Sequence, residues 1–156
     1  MSSVADRLDI IDTCTRMAWF IDTREWDSLE SVFADEVTLD YTSLNGGEPA
    51  VVTGKGLVGA WSGLLGKFDT TQHLLTNYLV DVDGDTAVAT AMFQATHRMP
   101  NDHGGPLWTL GGKYRFDLVR TAAEGWQISA IVMTATWADG NQQLLTRAAQ
   151  AQSAEG

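Results

Sequence analysis

The sequence predicts an α+β domain, with helices in the amino-terminal part packed on a mainly antiparallel sheet formed by the rest. Two patterns support this prediction. Apolar residues recur at spacings of three and four early in the chain, as in amphipathic helices, whereas the second half alternates polar and apolar residues, as in strands. A length of 156 residues fits one domain, and a hydrophobic fraction of 44% is enough for a packed core. We therefore expect a single domain over residues 1–156.

Three helices and two short strands are expected in the amino-terminal part. The helices are predicted over 4–21, 26–33 and 54–65, and the strands over 37–41 and 51–53. Leu8, Ile11 and Cys14 lie on one face of the first helix, which is the pattern of a helix with one buried side. Gly66 is suited to end the third helix. The Gly- and Asn-containing segment 43–48 is predicted to be a turn or loop.

The rest of the chain is predicted to be an antiparallel meander. Its strands are expected over 71–82, 86–99, 107–120 and 126–137. The Asp83-Gly84-Asp85 sequence favours a tight hairpin turn between the first two, and 100–106 is expected to be an exposed loop. A short helix is expected within 142–150. We expect order over about 4–141, and we expect the tail 142–156 to be peripheral or flexible.

Charge and cysteine content exclude several classes of partner. The net charge is −10, and lysines and arginines do not cluster, so neither nucleic acid nor an anionic membrane is an expected partner. Cys14 is the only cysteine, which rules out a disulfide within the chain and cysteine-rich metal sites. Residues 1–9 lack the apolar stretch of a signal peptide, and no apolar run has the roughly 20 residues of a membrane span. The expected location is therefore the cytoplasm.

Two histidines are predicted to face a pocket on the inner side of the sheet. Period-two alternation places His73 on one face with Leu75, and His97 on one face with the small residues Ala91 and Ala95. Because these neighbours are apolar or small, both imidazoles should point inward, where aromatic side chains would form apolar walls. The expected pocket residues are Trp61, Phe68, Asn77, Phe93, Trp108, Tyr114 and Trp137.

Asp22 is the expected partner of His73. It follows the first helix, where the helix dipole disfavours a carboxylate, so another interaction is needed to hold it there. A hydrogen bond to a buried imidazole would meet that need, fix the tautomer and make the other ring nitrogen a better base. Tyr41 and His97 are further catalytic candidates.

Each of these residues also has a structural explanation. A single inward histidine is often part of the core, and an aspartate often begins a turn. Asp22, His73 and His97 could also form a facial metal site, which is weakly supported because the histidines come from separate strands. We expect neither a metal nor another cofactor.

Several segments carry a family resemblance that extends from about Val4 to Asn141. They are Ile21-Asp22, Trp26-Asp27, Phe33-Ala34-Asp35-Glu36-Val37, Asp40-Tyr41, Thr71-Gln72-His73, Gly111-Gly112-Lys113-Tyr114 and Gly125-Trp126-Gln127-Ile128. Together they resemble the SnoaL-like branch of the nuclear-transport-factor-2-like superfamily. The resemblance implies a cone-shaped, cystatin-like fold, in which three amino-terminal helices pack on a strongly curved, mixed but mainly antiparallel sheet that encloses a pocket.

Within that superfamily the polar spacing is most similar to scytalone dehydratase and hexachlorocyclohexane dehydrochlorinase. The resemblance implies that Asp22 and His73 form their aspartate–histidine dyad. It also implies that Tyr41 and His97 correspond to a tyrosine and a second histidine of the dehydratase. Ile21 replaces a second tyrosine of the dehydratase, so the identity of the substrate does not transfer.

The expected function is that of a cofactor-independent, dehydratase-like lyase. His73, oriented by Asp22, would abstract a proton from a small apolar, aromatic or polyketide-like substrate. An isomerase or aldol-type cyclase with the same site, or a non-catalytic ligand-binding or assembly module, remains an alternative. Epoxide hydrolysis ranks lower, because Arg98 and Arg115 should face outward. The resemblance also implies a homo-oligomer, either a dimer or a trimer.

Overall fold

The computed structural model describes residues 3–155. In chain order the elements are α1 (Val4–Thr23), α2 (Trp26–Leu29), β1 (Phe33–Asp40), α3 (Thr42–Asn45), β2 (Ala50–Thr53), α4 (Gly54–Leu65), β3 (Thr70–Asp83), β4 (Thr86–Arg98), β5 (Leu107–Thr121), β6 (Gly125–Gly140) and α5 (Gln143–Ser153). None of the helices within residues 3–155 is both long enough and apolar enough to cross a bilayer.

The six strands form one open sheet with the order β2-β1-β6-β5-β4-β3. Only β1 and β6 run parallel, and all other neighbours pair in antiparallel fashion. The four long strands β3 to β6 follow one another along the chain and across the sheet, as the alternating sequence pattern predicts. The α+β fold class is therefore confirmed.

Helix α1 covers the inner face of this sheet and packs mainly on β3. Ser3 caps the helix, since its hydroxyl accepts a hydrogen bond from the backbone N–H of Asp6 at 3.0 Å. Cys14 is buried as expected, but Leu8 is 61% exposed, and the buried face is formed instead by Ile10, Cys14 and Met17. We call the face of the sheet that α1 covers its inner face.

Two segments near β1 differ from their predicted structure. The second helix was predicted to reach residue 33, but it ends in a 3₁₀ turn over Glu30–Val32, and Phe33 already belongs to β1. The predicted loop 43–48 contains the single turn of α3. Asp40 precedes this turn, and its Oδ1 accepts hydrogen bonds from the backbone N–H of Thr42 at 3.0 Å and from the hydroxyl of Thr42 at 2.7 Å.

The short helix expected in the tail is present as α5, but it is packed against the rest of the fold and is not peripheral. Leu144 and Ala148 have no accessible surface, and α5 lies against α4. Their separation of four residues puts both on one helical face, which is why this helix can bury one side. The expectation of a peripheral tail was wrong because a short segment after the last strand carries no sequence signal for the element of the fold on which it packs.

Two long strands are interrupted, and each interruption reverses the faces that follow it. In β3 the pairing shifts between Thr76 and Leu79, and Asn77 adopts a left-handed conformation with φ +57°. In β6 the pairing shifts by one residue at two places. One shift lies between Ile128 and Ala130, and the other puts Trp137 opposite Gly111 while Ala135 lies opposite Gly112. Beyond these points, period-two alternation along the strand therefore assigns side chains to the wrong face of the sheet.

Candidate active site

A cavity of about 480 Å³ lies between the inner face of the sheet and helices α1, α4 and α5. Seven of the predicted site residues line it: Tyr41, Trp61, His73, Phe93, His97, Trp108 and Tyr114. Most of the remaining wall is aliphatic, and Leu145 and Ala149 of α5 contribute to it. This volume is sufficient for a small, largely apolar ligand.

Asp22 lies in the last turn of α1 and is held by three hydrogen bonds from β3. Its Oδ1 accepts from His73 Nδ1 at 2.7 Å and from the Thr71 hydroxyl at 2.9 Å, and its Oδ2 accepts from the His73 backbone N–H at 2.6 Å. These donors satisfy a carboxylate that the helix dipole disfavours at this position. The contact between Asp22 and His73 thus has the geometry that the sequence suggested.

This contact fixes the tautomer of His73. A carboxylate accepts hydrogen bonds, so Nδ1 carries the proton and Nε2 of the neutral ring carries the free lone pair. The His73 side chain is 9% exposed and lines the cavity. Nε2 is therefore the ring atom that is available to take a proton from a ligand.

His97 is a second imidazole in the cavity, next to His73. Its Nδ1 lies 3.2 Å from the Trp108 carbonyl oxygen, which can only accept, so Nδ1 carries the proton and Nε2 the lone pair. Burial, together with the neighbouring His73, lowers the pKa of His97 to about 4. The ring centroids of the two histidines are 5.8 Å apart.

Two phenols form a second polar group in the cavity. The hydroxyl of Tyr41, just after β1, lies 3.4 Å from the hydroxyl of Tyr114 on β5. Burial raises the pKa of Tyr41 well above its ordinary value and also raises the pKa of Tyr114. Both phenols are therefore protonated at neutral pH and can donate hydrogen bonds.

Three of the predicted pocket residues do not line the cavity. Phe68 is buried behind His97, with 5.1 Å between the ring centroids, so it supports the imidazole. Asn77 belongs to a groove on the outer face, because the interruption of β3 occurs at this residue. Trp137 is 48% exposed and lies over Gly111 on the outer face, because the pairing shift in β6 reverses its orientation.

The sequence reasoning also missed residues that belong to the site. Thr71 holds the carboxylate of Asp22, and alternation from His73 would have placed it on the same face. The contribution of α5 was missed because the tail was expected to be peripheral. Arg98 and Arg115 face outward as predicted, and they form exposed ion pairs with Asp69 and Asp117.

The fold and cavity define an α+β protein of the nuclear-transport-factor-2-like class. The chain belongs to the SnoaL-like domain family, whose model matches residues 2–132. An uncharacterized protein of Mycobacterium tuberculosis is 32% identical over 136 residues, which is 86% of this chain and 88% of that protein. The crystal structure of the Kfla4162 protein from Kribbella flavida has a TM-score of 0.86 and 32% identity, covering 91% of this chain and 97% of that one.

More distant structures include the two enzyme types that the polar spacing suggested. A hexachlorocyclohexane dehydrochlorinase has a TM-score of 0.72 and 16% identity, covering 89% of this chain and 93% of that one. A Novosphingobium aromaticivorans protein, provisionally named a scytalone dehydratase, has a TM-score of 0.70 and 19% identity, covering 90% and 93%. At these identities the likeness shows a shared fold, and the chemistry must be argued from the site itself.

Proposed function

We propose that this protein is an enzyme that removes a proton from carbon in a small, largely apolar carbonyl compound. His73 is the general base and Asp22 orients it. The observation that carries the proposal is the hydrogen bond from His73 Nδ1 to the Asp22 carboxylate, which leaves Nε2 for the cavity. A positioned base of this kind raises rates by about 10²–10⁴-fold.

Asp22 contributes in two ways. It holds the imidazole in the tautomer whose Nε2 can accept a proton, and its negative charge stabilises the imidazolium that forms after transfer. The hydrogen bonds from Thr71 and from the His73 backbone keep the carboxylate in place. The base therefore needs little rearrangement when substrate arrives.

The environment of His97 does not suit it to polarise a carbonyl or to protonate a leaving hydroxyl. A pKa of about 4 leaves the ring neutral at pH 7, and its one ring proton is directed at the Trp108 carbonyl. We propose instead that Nε2 of His97 accepts a hydrogen bond from a hydroxyl of the substrate. The phenols of Tyr41 and Tyr114 are donors available for a carbonyl oxygen, and so is the buried indole N–H of Trp108, which has no hydrogen-bond partner among residues 3–155.

The site is compatible with more than one net reaction. If His73 returns the abstracted proton from Nε2 to a hydroxyl β to the carbonyl, that hydroxyl leaves as water and the net reaction is a dehydration. Return of the proton at another carbon gives an isomerisation. An enolate formed in the same way could also close a ring by aldol addition. Dehydration is the proposed reaction, since the cavity offers an acceptor for a substrate hydroxyl and donors for a carbonyl.

The test is hydrogen exchange at carbon, which requires only the base and no particular leaving group. The probe is 2-tetralone, a bicyclic aromatic ketone with an acidic C–H between ring and carbonyl, incubated in D₂O and followed by proton NMR. We expect the wild-type protein to accelerate deuterium uptake. His73→Ala should remove the acceleration, and Asp22→Asn should reduce it by about 10²-fold or more.

His103→Ala is the matched control, because His103 lies in the exposed loop after β4, outside the cavity wall. It should exchange the probe at the wild-type rate. An unchanged rate in folded His73→Ala protein would refute the assignment of the base. A wild-type protein that leaves the probe unexchanged would count against carbon-proton abstraction and favour a binding module.

A further inference from the structure

One buried N–H group in the cavity wall has no acceptor within the fold. Among the buried side-chain nitrogen and oxygen atoms of residues 3–155, only Nε1 of Trp108 has no hydrogen-bond partner. Trp126 provides the contrast, because it is equally buried, with 4% of its surface exposed, and its indole N–H donates to Asp6 Oδ1 at 3.2 Å. Buried indole N–H groups are normally paired, so the exception at Trp108 points to an acceptor from outside the fold.

The position of Trp108 shows where such an acceptor would bind. Trp108 lines the cavity from β5, and its ring lies 4.9 Å, between centroids, from the imidazole of His97, which is directly opposite on β4. His97 in turn packs on the ring of Phe68 at 5.1 Å, so the three rings form one packed unit. This packing restrains the indole ring, and a ligand in the cavity can supply the acceptor that its N–H lacks.

The neighbouring imidazole offers the complementary group. Nδ1 of His97 donates to the backbone carbonyl of Trp108, which leaves Nε2 with its lone pair. Trp108 therefore orients the acceptor through its carbonyl and supplies a donor through its indole. A donor and an acceptor on adjacent rings match a hydroxyl group, whose oxygen accepts and whose hydrogen is donated. A carbonyl oxygen would satisfy the indole N–H but leave the lone pair of His97 unmatched.

This donor and acceptor lie nearer to the base than to the middle of β5, where one of the two phenols is attached. Trp108 and Tyr114 are both on β5, and their α-carbons are up to about 20 Å apart along the strand. His73, in contrast, is a direct neighbour of His97, with 5.8 Å between ring centroids. A substrate that spans the cavity can therefore place a hydroxyl beside the base and its carbonyl at the tyrosines.

We propose that the indole N–H of Trp108 and Nε2 of His97 together bind a hydroxyl group of the substrate, which makes Trp108 a specificity-determining residue for hydroxylated compounds. As a statement about the substrate, this rests on the proposed function, since a hydroxyl held beside His73 is the group that a dehydration removes. Hydroxyl binding itself needs no turnover, so it can be measured with ligands that do not react.

The experiment follows the indole N–H groups of ¹⁵N-labelled protein by NMR. The probes are 2-tetralol and tetralin, which share one bicyclic skeleton and differ by the hydroxyl. We expect 2-tetralol to move the Trp108 indole proton downfield, as a new hydrogen bond does, and to shift the Nε2 resonance of His97. Tetralin places the same rings in the cavity and should produce neither change. Trp126 is the internal control, because its N–H is already donated to Asp6.

Trp108→Phe measures what the N–H contributes to affinity. It removes the donor and keeps an aromatic ring, so it should weaken 2-tetralol binding about three- to tenfold more than tetralin binding, as expected for one neutral hydrogen bond. The smaller ring alters packing against both ligands, so the ratio of the two affinities isolates the N–H. Trp137→Phe on the outer face is the matched control and should leave that ratio unchanged.

The role of Trp108 in hydroxyl binding is overturned if 2-tetralol does not bind, if it moves the indole proton no further downfield than tetralin does, or if Trp108→Phe weakens both ligands equally. Should Trp108→Phe fail to fold, the titration of wild-type protein decides.

The same probes separate this role from the proposed function. His73→Ala should keep the downfield shift after losing exchange of 2-tetralone. Wild-type protein that shows the shift but no exchange would retain the hydroxyl site and lose the proposed function. Exchange of 2-tetralone without the shift would retain the function and refute the role of Trp108.

Discussion

The two polar groups in the cavity differ in how they are held. Asp22 and His73 form a densely bonded unit, in which one carboxylate accepts three hydrogen bonds that link α1 to β3. Tyr41 and Tyr114 share one long hydroxyl contact and are otherwise held by aromatic packing. The dyad therefore contributes to the fold as well as to the site, whereas the tyrosine pair can be altered with less cost to the fold.

The difference also separates their chemistry. A charged, hydrogen-bonded partner makes His73 a proton acceptor, whereas burial keeps both tyrosines as neutral donors. Because base and donor lie in the same cavity but in different environments, a proton can be removed at one end of a substrate while charge is stabilised at the other.

The largest expected effect on stability is that of Asp22→Ala. Removing the carboxylate leaves the Thr71 hydroxyl, the His73 backbone N–H and the His73 ring N–H without their acceptor. Each unsatisfied buried group costs about 1–3 kcal/mol, so we expect the free energy of unfolding to fall by about 3 kcal/mol or more. Urea unfolding followed by circular dichroism measures it.

Tyr41→Phe is the variant of the tyrosine pair whose loss of stability is compared with that of Asp22→Ala. It removes one hydroxyl and one 3.4 Å contact and keeps the ring packed against Trp61, so the loss should not exceed about 1 kcal/mol. Equal losses for the two variants would show that the dyad is no more important to the fold than the tyrosines.

Protonation of His97 should change the free energy of unfolding by an amount between those expected for Asp22→Ala and Tyr41→Phe. Its pKa is lowered from 6.5 to about 4, so between these values the unfolded chain binds a proton that the folded chain does not. Stability is therefore lost as the pH falls, by about 2 kcal/mol between pH 7 and pH 5. The groups that influence this ring are His73, Asp22 and the Trp108 carbonyl.

The measurement compares wild-type protein with His97→Asn, which retains a donor for the Trp108 carbonyl. Carboxylates titrate in the same pH range in both proteins, so the difference between their stability profiles isolates the histidine. We expect the wild-type profile to fall more steeply between pH 7 and pH 5. Parallel profiles would mean that His97 accepts its proton as readily in the folded protein as in the unfolded chain.

How far the site could be predicted from sequence depended on the regularity of each strand. Strands β4 and β5 pair without a register shift, so alternation correctly placed His97, Phe93, Trp108 and Tyr114 on the inner face. The contact between Asp22 and His73 was also predictable, since a carboxylate at a helix carboxyl end needs a partner. Its catalytic role stays a prediction.

The errors come from interruptions that the composition does not reveal. Asparagine tolerates the left-handed conformation, but nothing in the run of strand-forming residues around Asn77 shows that the interruption occurs there. The shift in β6 depends on its partner, because Gly111 offers the space that the Trp137 ring fills. Such tertiary compensation cannot be seen in one strand alone.

Because Trp137 lies outside the cavity, it serves as a control for Trp61 in the prediction with the smallest expected effect. Trp61 lines the cavity beside Tyr41, with 6.2 Å between ring centroids, whereas Trp137 lies on the outer face. Trp61→Ala should weaken 2-tetralone binding by about threefold, or about 0.7 kcal/mol, as expected for the loss of one aromatic contact. Trp137→Ala should leave the affinity unchanged. Equal weakening in both variants, measured by the dependence of the exchange rate on 2-tetralone concentration, would show that the probe binds outside the cavity, and the assignment of His73 as the base would then lose its support.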